Sequence, residues 1–192
     1  MAPARSRSAS GVPAPARCAL FALISVLLLV PAALVSSQGA RASGAGGIKW
    51  IVPRAWSDLP GSSMRVATYK VPGPKGAEAG EAAVFFFGPG QGGSVDANVE
   101  RWSRQFEGTP KPERSQKRVN GLAVTSVRLA GTYLAPGGPT MQSQGKRADF
   151  RLLGAIVEAP EGLVFFKLTG PAATVAAAQA DFDALVASFA KG

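Results

Sequence analysis

The chain has 192 residues, contains no histidine and has a single cysteine, Cys18. Without histidine it cannot build a Ser-His-Asp triad or an imidazole metal site. Because Cys18 lies in an N-terminal apolar run that we expect to be removed, the rest of the chain also lacks a thiol nucleophile, a disulfide and a thiolate ligand. We therefore expect a non-catalytic protein with no cofactor and no metal site.

The first 42 residues have the pattern of an export signal. Three arginines precede an apolar run over residues 18–35, and the first acidic residue of the chain is Asp58. Ala40 and Ala42 then form the A-x-A arrangement that signal peptidase accepts. We predict cleavage after Ala42, which leaves residues 43–192 as a periplasmic or extracellular protein.

An uncleaved membrane anchor is the alternative for the same segment. The run over residues 18–35 is at the lower limit of the length that spans a bilayer. Pro31 near its end argues against a continuous membrane helix. Cys18 opens the apolar run instead of following it, which is not the position of a lipid-acceptor cysteine.

The charge of the chain is basic, with 21 lysines and arginines against 12 acidic residues. Residues 1–42 contain four of the arginines, so the predicted exported part has 17 basic and 12 acidic side chains. This excess is too small to predict nucleic-acid binding and favours a protein or an anionic envelope component as the partner. A chain of about 150 residues is expected to form one domain.

The first part of this domain reads as strands. Residues 48–52 and 64–71 are extended runs, and residues 72–81 form a Pro- and Gly-rich connection. Residues 82–87, AAVFFF, are apolar on both faces, which indicates a central strand covered on each side.

A glycine-rich turn followed by a helix is the most conspicuous local motif. Residues 88–106 read GPGQGGSVDANVERWSRQF, in which Ser94 is a typical N-cap and Asp96 complements the helix dipole. Four apolar side chains recur at helical spacing and predict the buried face: Val95, Val99, Trp102 and Phe106.

The same turn satisfies the G-x-G-x-x-G pattern of dinucleotide-binding sites. No second strand-helix-strand unit follows, and Glu113, at about the right distance, lies in a polar run, so we do not expect a dinucleotide. Backbone N–H groups at the start of the helix can instead hold an anion or contact a partner. The predicted contact residues are Gly90, Gly92, Gly93 and Ser94, together with Lys146 and Arg147 farther along the chain.

The second half reads as two hairpins and a terminal helix. Asn120-Gly121 predicts a type I′ turn, and residues 159–162 predict a turn between strands at 150–158 and 163–168. Residues 134–148 have no periodicity and read as a long exposed loop. We expect one amphipathic helix from Pro171, whose buried face is Val175, Ala178, Phe182, Leu185, Val186 and Phe189.

These elements predict an α+β fold with a single, mainly antiparallel sheet and helices packed on its faces. The chain resembles the PsbP-like superfamily of α/β/α sandwiches through WIVPRAW at residues 50–56, the helix with Trp102, and the ending GLVFFKLTGPAATVAAAQADFDALVASF. It is also similar to exported bacterial proteins of unknown function that carry GQGGSVDANVERW and FFKLTGP runs. The resemblance implies a non-enzymatic binding or assembly factor. Photosystem members of that superfamily bind calcium, chloride and partner subunits, but none of their ligand sets matches positions in this chain.

Two functional hypotheses follow from the sequence. The first is an exported, non-catalytic binding module that uses the glycine turn, the loop at 134–148 and the basic residues Lys111, Arg114, Lys117, Arg118, Lys146 and Arg147. The alternative is a hydrolase with paired carboxylates, as in glycosidases. Its candidate residues are Asp96, Glu100, Glu107, Glu113, Asp149, Glu158 and Glu161.

The intact mass of the exported protein tests the predicted processing. We expect the mass of residues 43–192, because the A-x-A site follows the apolar run directly. Recovery of the full-length mass from the membrane fraction would instead identify residues 18–35 as an anchor.

Overall fold

The computed structural model describes residues 41–134 and 145–192, so nearly all of the predicted export signal and most of the predicted loop at 134–148 lie outside the described residues. The elements, in chain order, are β1 (Arg41–Ala45), β2 (Ile48–Val52), β3 (Ser57–Asp58), β4 (Ala67–Val71), β5 (Gly80–Phe86), α1 (Val95–Ser103), β6 (Glu113–Val119), β7 (Leu122–Leu134), β8 (Lys146–Ala159), β9 (Gly162–Pro171), α2 (Ala172–Ala177), α3 (Gln179–Ala187) and β10 (Ala190–Lys191). Over these two stretches, no helix has the length and apolar character needed to cross a membrane.

The α+β prediction is confirmed by a seven-stranded antiparallel sheet in the order β3-β4-β5-β9-β8-β7-β6. Strand β5, predicted to be central, lies between β4 and β9. A second sheet of three strands, β1-β2-β10, was not predicted. It joins both ends of the domain, since Ala190 pairs with Lys49, and no local pattern in the sequence encodes such a contact.

The predicted cleavage point after Ala42 falls inside β1, where Ala42 pairs with Ile51. The preceding residue, Arg41, pairs with Asp58 and donates a hydrogen bond to the carbonyl oxygen of Trp56. Processing at this point would leave residues 43–45 of the strand beside β2.

The two faces of the large sheet carry separate apolar clusters. Phe165 and Phe166 of β9 are both buried and point to opposite faces, as successive strand residues must. Phe166 joins the larger cluster with β2, α2 and α3, where Trp50 packs edge-on against it at 5.0 Å. Phe165 joins the smaller cluster beneath α1.

Helix α1 begins as predicted. The Ser94 side-chain oxygen accepts a hydrogen bond from the Ala97 N–H at 3.2 Å, which is an N-cap. Val99, Trp102 and Phe106 are buried against the sheet, so most of the predicted apolar face is confirmed.

Both predicted turns are present. Asn120 and Gly121 have φ of 47° and 83°, the left-handed values that a type I′ turn requires, and they join β6 to β7. The turn after Ala159 joins β8 to β9, with Ala159 paired to Gly162.

Two predictions for the second half were wrong. Strand β7 continues to Leu134 and β8 begins at Lys146. The residues at both ends of the predicted loop are therefore paired in the sheet. The ends of these strands are held by backbone pairing and not by the burial of alternate apolar side chains. The sequence therefore shows no apolar alternation there. The terminal helix is also divided, since α2 and α3 meet at Ala178, where φ is −86° and ψ is 0°. The predicted buried face of that helix is nevertheless correct.

Replacing Gly154 with alanine tests how α1 packs on the sheet. A Cβ at this position would overlap the Trp102 indole ring, with Cε3 only 2.9 Å away. We expect Gly154→Ala to lower the free energy of unfolding by about 1–3 kcal/mol, since overpacking displaces a buried ring. Chemical denaturation measures this change.

The matched control is Gly61→Ala, because no atom lies within 4 Å of an added Cβ there. Equal stability of the two variants would contradict the packing of Trp102 on Gly154.

Candidate functional site

Helix α1 covers only part of its face of the sheet and leaves a cleft beside it. The cleft has a volume of about 320 Å³ and lies between α1 and the segment at residues 64–65, above β5 and β9. We call it the α1 cleft. Its apolar lining consists of Met64, Phe85, Phe87, Trp102 and Phe165. Its polar lining consists of Arg65, Asn98, Arg101, Gln105 and Lys167.

The position of the cleft follows from the packing of α1 on a small residue in the sheet beneath it. Lys167 on β9 pairs with Ala83 on β5 and with Gly154 on β8. Trp102 occupies the space above Gly154. Ala83, on the other side of Lys167, is buried and does not line the cleft, so the position of the cleft follows from Trp102, which holds α1 on the Gly154 side of Lys167.

Lys167 lies at the floor of the cleft with neutral hydrogen-bond partners. Its Nζ donates to Oε1 of Gln105 at 2.7 Å and to the hydroxyl oxygen of Tyr133 at 3.2 Å. The ammonium nitrogen also lies 5.5 Å from the centre of the Tyr133 ring. Within residues 41–134 and 145–192, no carboxylate is within ion-pair distance of Lys167.

Burial changes the titration of both groups in this contact. Burial and, to a smaller extent, the positive charge of Arg65 lower the pKa of Lys167 against the opposing effect of Glu81, and the net result is a pKa of about 8. Burial also raises the pKa of Tyr133 to about 12, so its hydroxyl stays protonated at neutral pH. The cleft therefore contains a cation that is held without a bonded counter-charge.

Two arginines lie at the edges of the cleft. The Arg65 guanidinium pairs with Glu81 at 2.8 Å and lies 5.7 Å from the centre of the Phe85 ring. Arg101 donates to Oδ1 of Asn98 at 2.9 Å. The buried Asn98 therefore orients Arg101 towards the cleft.

Exposed apolar side chains are concentrated around the α1 cleft. In the part of the chain that the structure describes, four large apolar residues are exposed, and Met64 and Phe87 among them line the cleft at 68% and 41% exposure. Val66, two residues after Met64, is 46% exposed. Ile51, the fourth of these residues, lies on β2. A concentration of exposed apolar groups of this kind is typical of binding sites.

The predicted glycine turn packs against residues of the cleft lining but does not line the cleft itself. The carboxamide nitrogen of Asn98 donates to the carbonyl oxygens of Gly92 and Ser94 at 2.8 and 2.9 Å, which ties the turn to α1. A Cβ on Gly92 would lie 2.8 Å from Phe87, so the absence of a side chain allows the turn to pack on the lining of the cleft. Gly90 and Gly93 also have positive φ.

Lys146 and Arg147 are not brought together with this turn. Lys146 pairs with Glu107, which follows the C-terminal end of α1, whereas the turn precedes its N-terminus. A helix of nine residues separates these two ends by roughly 13 Å. Arg147 pairs with Glu78 and packs on Phe150.

The other predicted basic residues lie on a different surface. Arg114 pairs with Asp96, while Lys117 and Arg118 are exposed on β6. Lys111 lines a separate depression of about 390 Å³ with Arg128 and Arg151.

The candidate carboxylates of the hydrolase hypothesis are all exposed: Asp96, Glu100, Glu107, Glu113, Asp149, Glu158 and Glu161. Asp96, Glu100 and Glu107 are each paired with a basic side chain. Over the described parts of the chain, no group of three or more histidine, cysteine or acidic side chains could hold a metal ion. This arrangement gives the hydrolase hypothesis no support.

Comparison with known proteins identifies the fold. No protein-family model and no curated protein matches the sequence. Cyanobacterial PsbP from Synechocystis sp. PCC 6803 is similar in structure, with a TM-score of 0.52, 11% sequence identity, and coverage of 85% of this chain and 99% of that chain. The chain has a PsbP-like fold.

Two other solved structures are similar to this PsbP-like chain at lower TM-scores. A protein of unknown function from Pseudomonas aeruginosa has a TM-score of 0.46 at 14% identity, over 78% of this chain and 94% of that chain. A protein from Bacteroides thetaiotaomicron has a TM-score of 0.41 at 10% identity, over 80% of this chain and 48% of that chain.

Sequence reasoning missed the residues that define the cleft. One signal was available, because Lys167 places a charge within the apolar run VFFKL of the predicted strand at 163–168. Phe87 was predicted as a strand residue of the core and is instead exposed after the end of β5. Arg65 and Arg101 are marked by no local pattern.

The pH dependence of stability tests the burial of Lys167. Its folded-state pKa of about 8 lies below the ordinary 10.5, so the unfolded chain binds more protons between these values and stability rises with pH there. Relative to Lys167→Met, the wild type should gain about 3 kcal/mol in the free energy of unfolding from pH 7 to pH 10.5. Urea denaturation across this range measures the difference.

Lys49→Met on the exposed side of β2 serves as the control and should run parallel to the wild type. Parallel profiles for all three proteins would show that Lys167 is solvated in the folded state.

Proposed function

We propose that this chain is an exported, non-catalytic binding module that holds the apolar part of a ligand in the α1 cleft. The proposal depends on one observation: exposed apolar side chains border a cavity whose floor carries a partly buried lysine without a carboxylate partner. Export is inferred from the N-terminal pattern of charge, apolar run and A-x-A site.

The energetics favour a binding role for this surface. Exposed apolar area is unfavourable in water, and burying a phenylalanine or methionine side chain gains about 1.5–3 kcal/mol. A protein that leaves Met64 and Phe87 exposed in the lining of one cleft forgoes this gain unless another molecule covers them. The volume of about 320 Å³ is at the lower end of the range for small-molecule pockets.

The titratable groups point to the same cleft. Perturbed pKa values in a cleft are more frequent at functional sites than elsewhere on a protein surface. The PsbP-like fold is compatible with a binding module but does not specify its ligand.

A second contact surface for a protein or an anionic envelope component fits the same proposal. Lys111, Arg128 and Arg151 border one depression and have no ion-pair partner within the described residues. Arg128 and Arg151 extend from neighbouring strands as a diagonal pair on one face, because Arg128 pairs with Leu153, two residues from Arg151. Glu113, opposite Arg128 in the ladder between β6 and β7, also lines this depression, so three positive charges face one negative charge and the excess favours an anionic group.

Binding of the neutral dye Nile red tests the role of the α1 cleft. We expect saturable binding with an increase in fluorescence, and we expect Phe87→Ser to weaken it about tenfold through the loss of aromatic contact. Fluorescence titration of the purified protein gives the dissociation constants.

Ile51→Ser is the matched control, since Ile51 is similarly exposed at 48% but lies on the small sheet. Absence of saturable binding to the wild type, or equal losses in the two variants, would overturn the assignment of the cleft.

A further inference from the structure

We infer that the ligand of the α1 cleft is an alkyl carboxylate whose chain covers the apolar lining while its carboxylate accepts a hydrogen bond from Lys167. This inference rests on the proposed function and adds the chemical class of the ligand. It follows from the charges in the cleft, the free donor on Lys167, the shape of the apolar lining, and the engagement of the Asn98 and Gln105 side-chain oxygens, which leaves neither free to accept from a peptide N–H.

The charge of the cleft is complementary to an anion. Arg65, Arg101 and Lys167 contribute three positive charges to its lining. Glu81 is the nearby carboxylate, and it is already paired with Arg65 at 2.8 Å. An anionic group that enters the cleft therefore meets an excess of positive charge, which attracts it.

Lys167 retains hydrogen-bonding capacity for such a group. A lysine ammonium has three N–H donors. Two are used by Gln105 and Tyr133, and the third has no partner among the described residues. One carboxylate oxygen would complete the set and supply the counter-charge that Lys167 lacks.

The apolar lining suits a single chain. Phe85 and Phe87 stack at 6.1 Å, and Phe87 contacts Phe165 at 6.0 Å, so three rings form a continuous aromatic wall. Met64, which is mostly exposed, faces the cleft from the other side of its entrance. A volume of about 320 Å³ favours one short alkyl chain over a lipid with two chains.

The polar groups of the cleft do not suit a peptide. A bound peptide brings backbone N–H and C=O groups that need partners when they are buried. Both Asn98 side-chain atoms are already bonded within the protein, and Oε1 of Gln105 accepts from Lys167. An alkyl chain has no N–H or C=O groups and therefore needs no hydrogen-bond partners in the cleft.

Comparison of decanoate with decan-1-ol tests the inference, because the two share a chain length and differ in the charged end. Isothermal titration calorimetry at pH 7 should give a dissociation constant for decanoate at least tenfold below that for decan-1-ol. Lys167→Met should remove this preference, so that decanoate and decan-1-ol bind to the variant with similar dissociation constants, whereas Lys49→Met should behave as the wild type.

The preference should also decline between pH 7 and pH 9.5. Lys167 has a pKa of about 8 and loses its charge over this range. The charged and titratable groups that face it are Arg65, Arg101, Glu81 and Tyr133, and burial raises the pKa of Tyr133 to about 12, above this range. Binding of decan-1-ol should not change with pH.

The outcomes separate the inference from the proposed function. Equal binding of decanoate and decan-1-ol to the wild type would overturn the inference that the ligand is a carboxylate. It would not affect the proposal that the cleft binds the apolar part of a ligand. Failure of both ligands and of Nile red would overturn the proposed function itself. If an acidic, leucine-rich peptide bound saturably and decanoate did not, the inference that the ligand is an alkyl carboxylate would be overturned.

Discussion

The packing of Trp102 on Gly154 is the contact on which the candidate site depends. Because Gly154 has no side chain, the indole ring approaches the sheet closely and holds α1 over β8. The helix consequently does not extend over β5, and Phe85, Phe165 and Lys167 form the floor of an open cleft. A larger residue at position 154 would raise the helix and change the shape of the site.

Lys167 lowers the stability of the folded state, which is an argument that it has a role in binding. A lysine held away from water without a bonded carboxylate destabilises the folded state while it is charged. An apolar side chain of similar length would avoid this cost at the same position. Residues that lower stability in this way are concentrated at functional sites, where a side chain needed for activity is kept although it destabilises the fold.

The glycine turn has a structural role that its sequence pattern did not reveal. It resembles a phosphate-binding loop in spacing, yet Asn98 bonds two of its carbonyl oxygens and Gly92 packs on Phe87. The turn therefore connects the end of β5 to α1 and supports Phe87 and Asn98 of the cleft lining. Lys146 and Arg147, predicted to act with it, are instead ion-paired beyond the other end of the helix.

The sequence by itself determined the α+β class, the capped start of α1, the Asn120-Gly121 turn and the buried face of the terminal helices, because each depends on residues close together in the chain. Only the tertiary structure decided the small sheet, the extension of β7 and β8, and the site. Arg65, Phe87, Arg101 and Lys167 come from four separate segments, and pairing between strands and the packing of α1 bring them together. Such proximity is set by long-range contacts, which no local periodicity records.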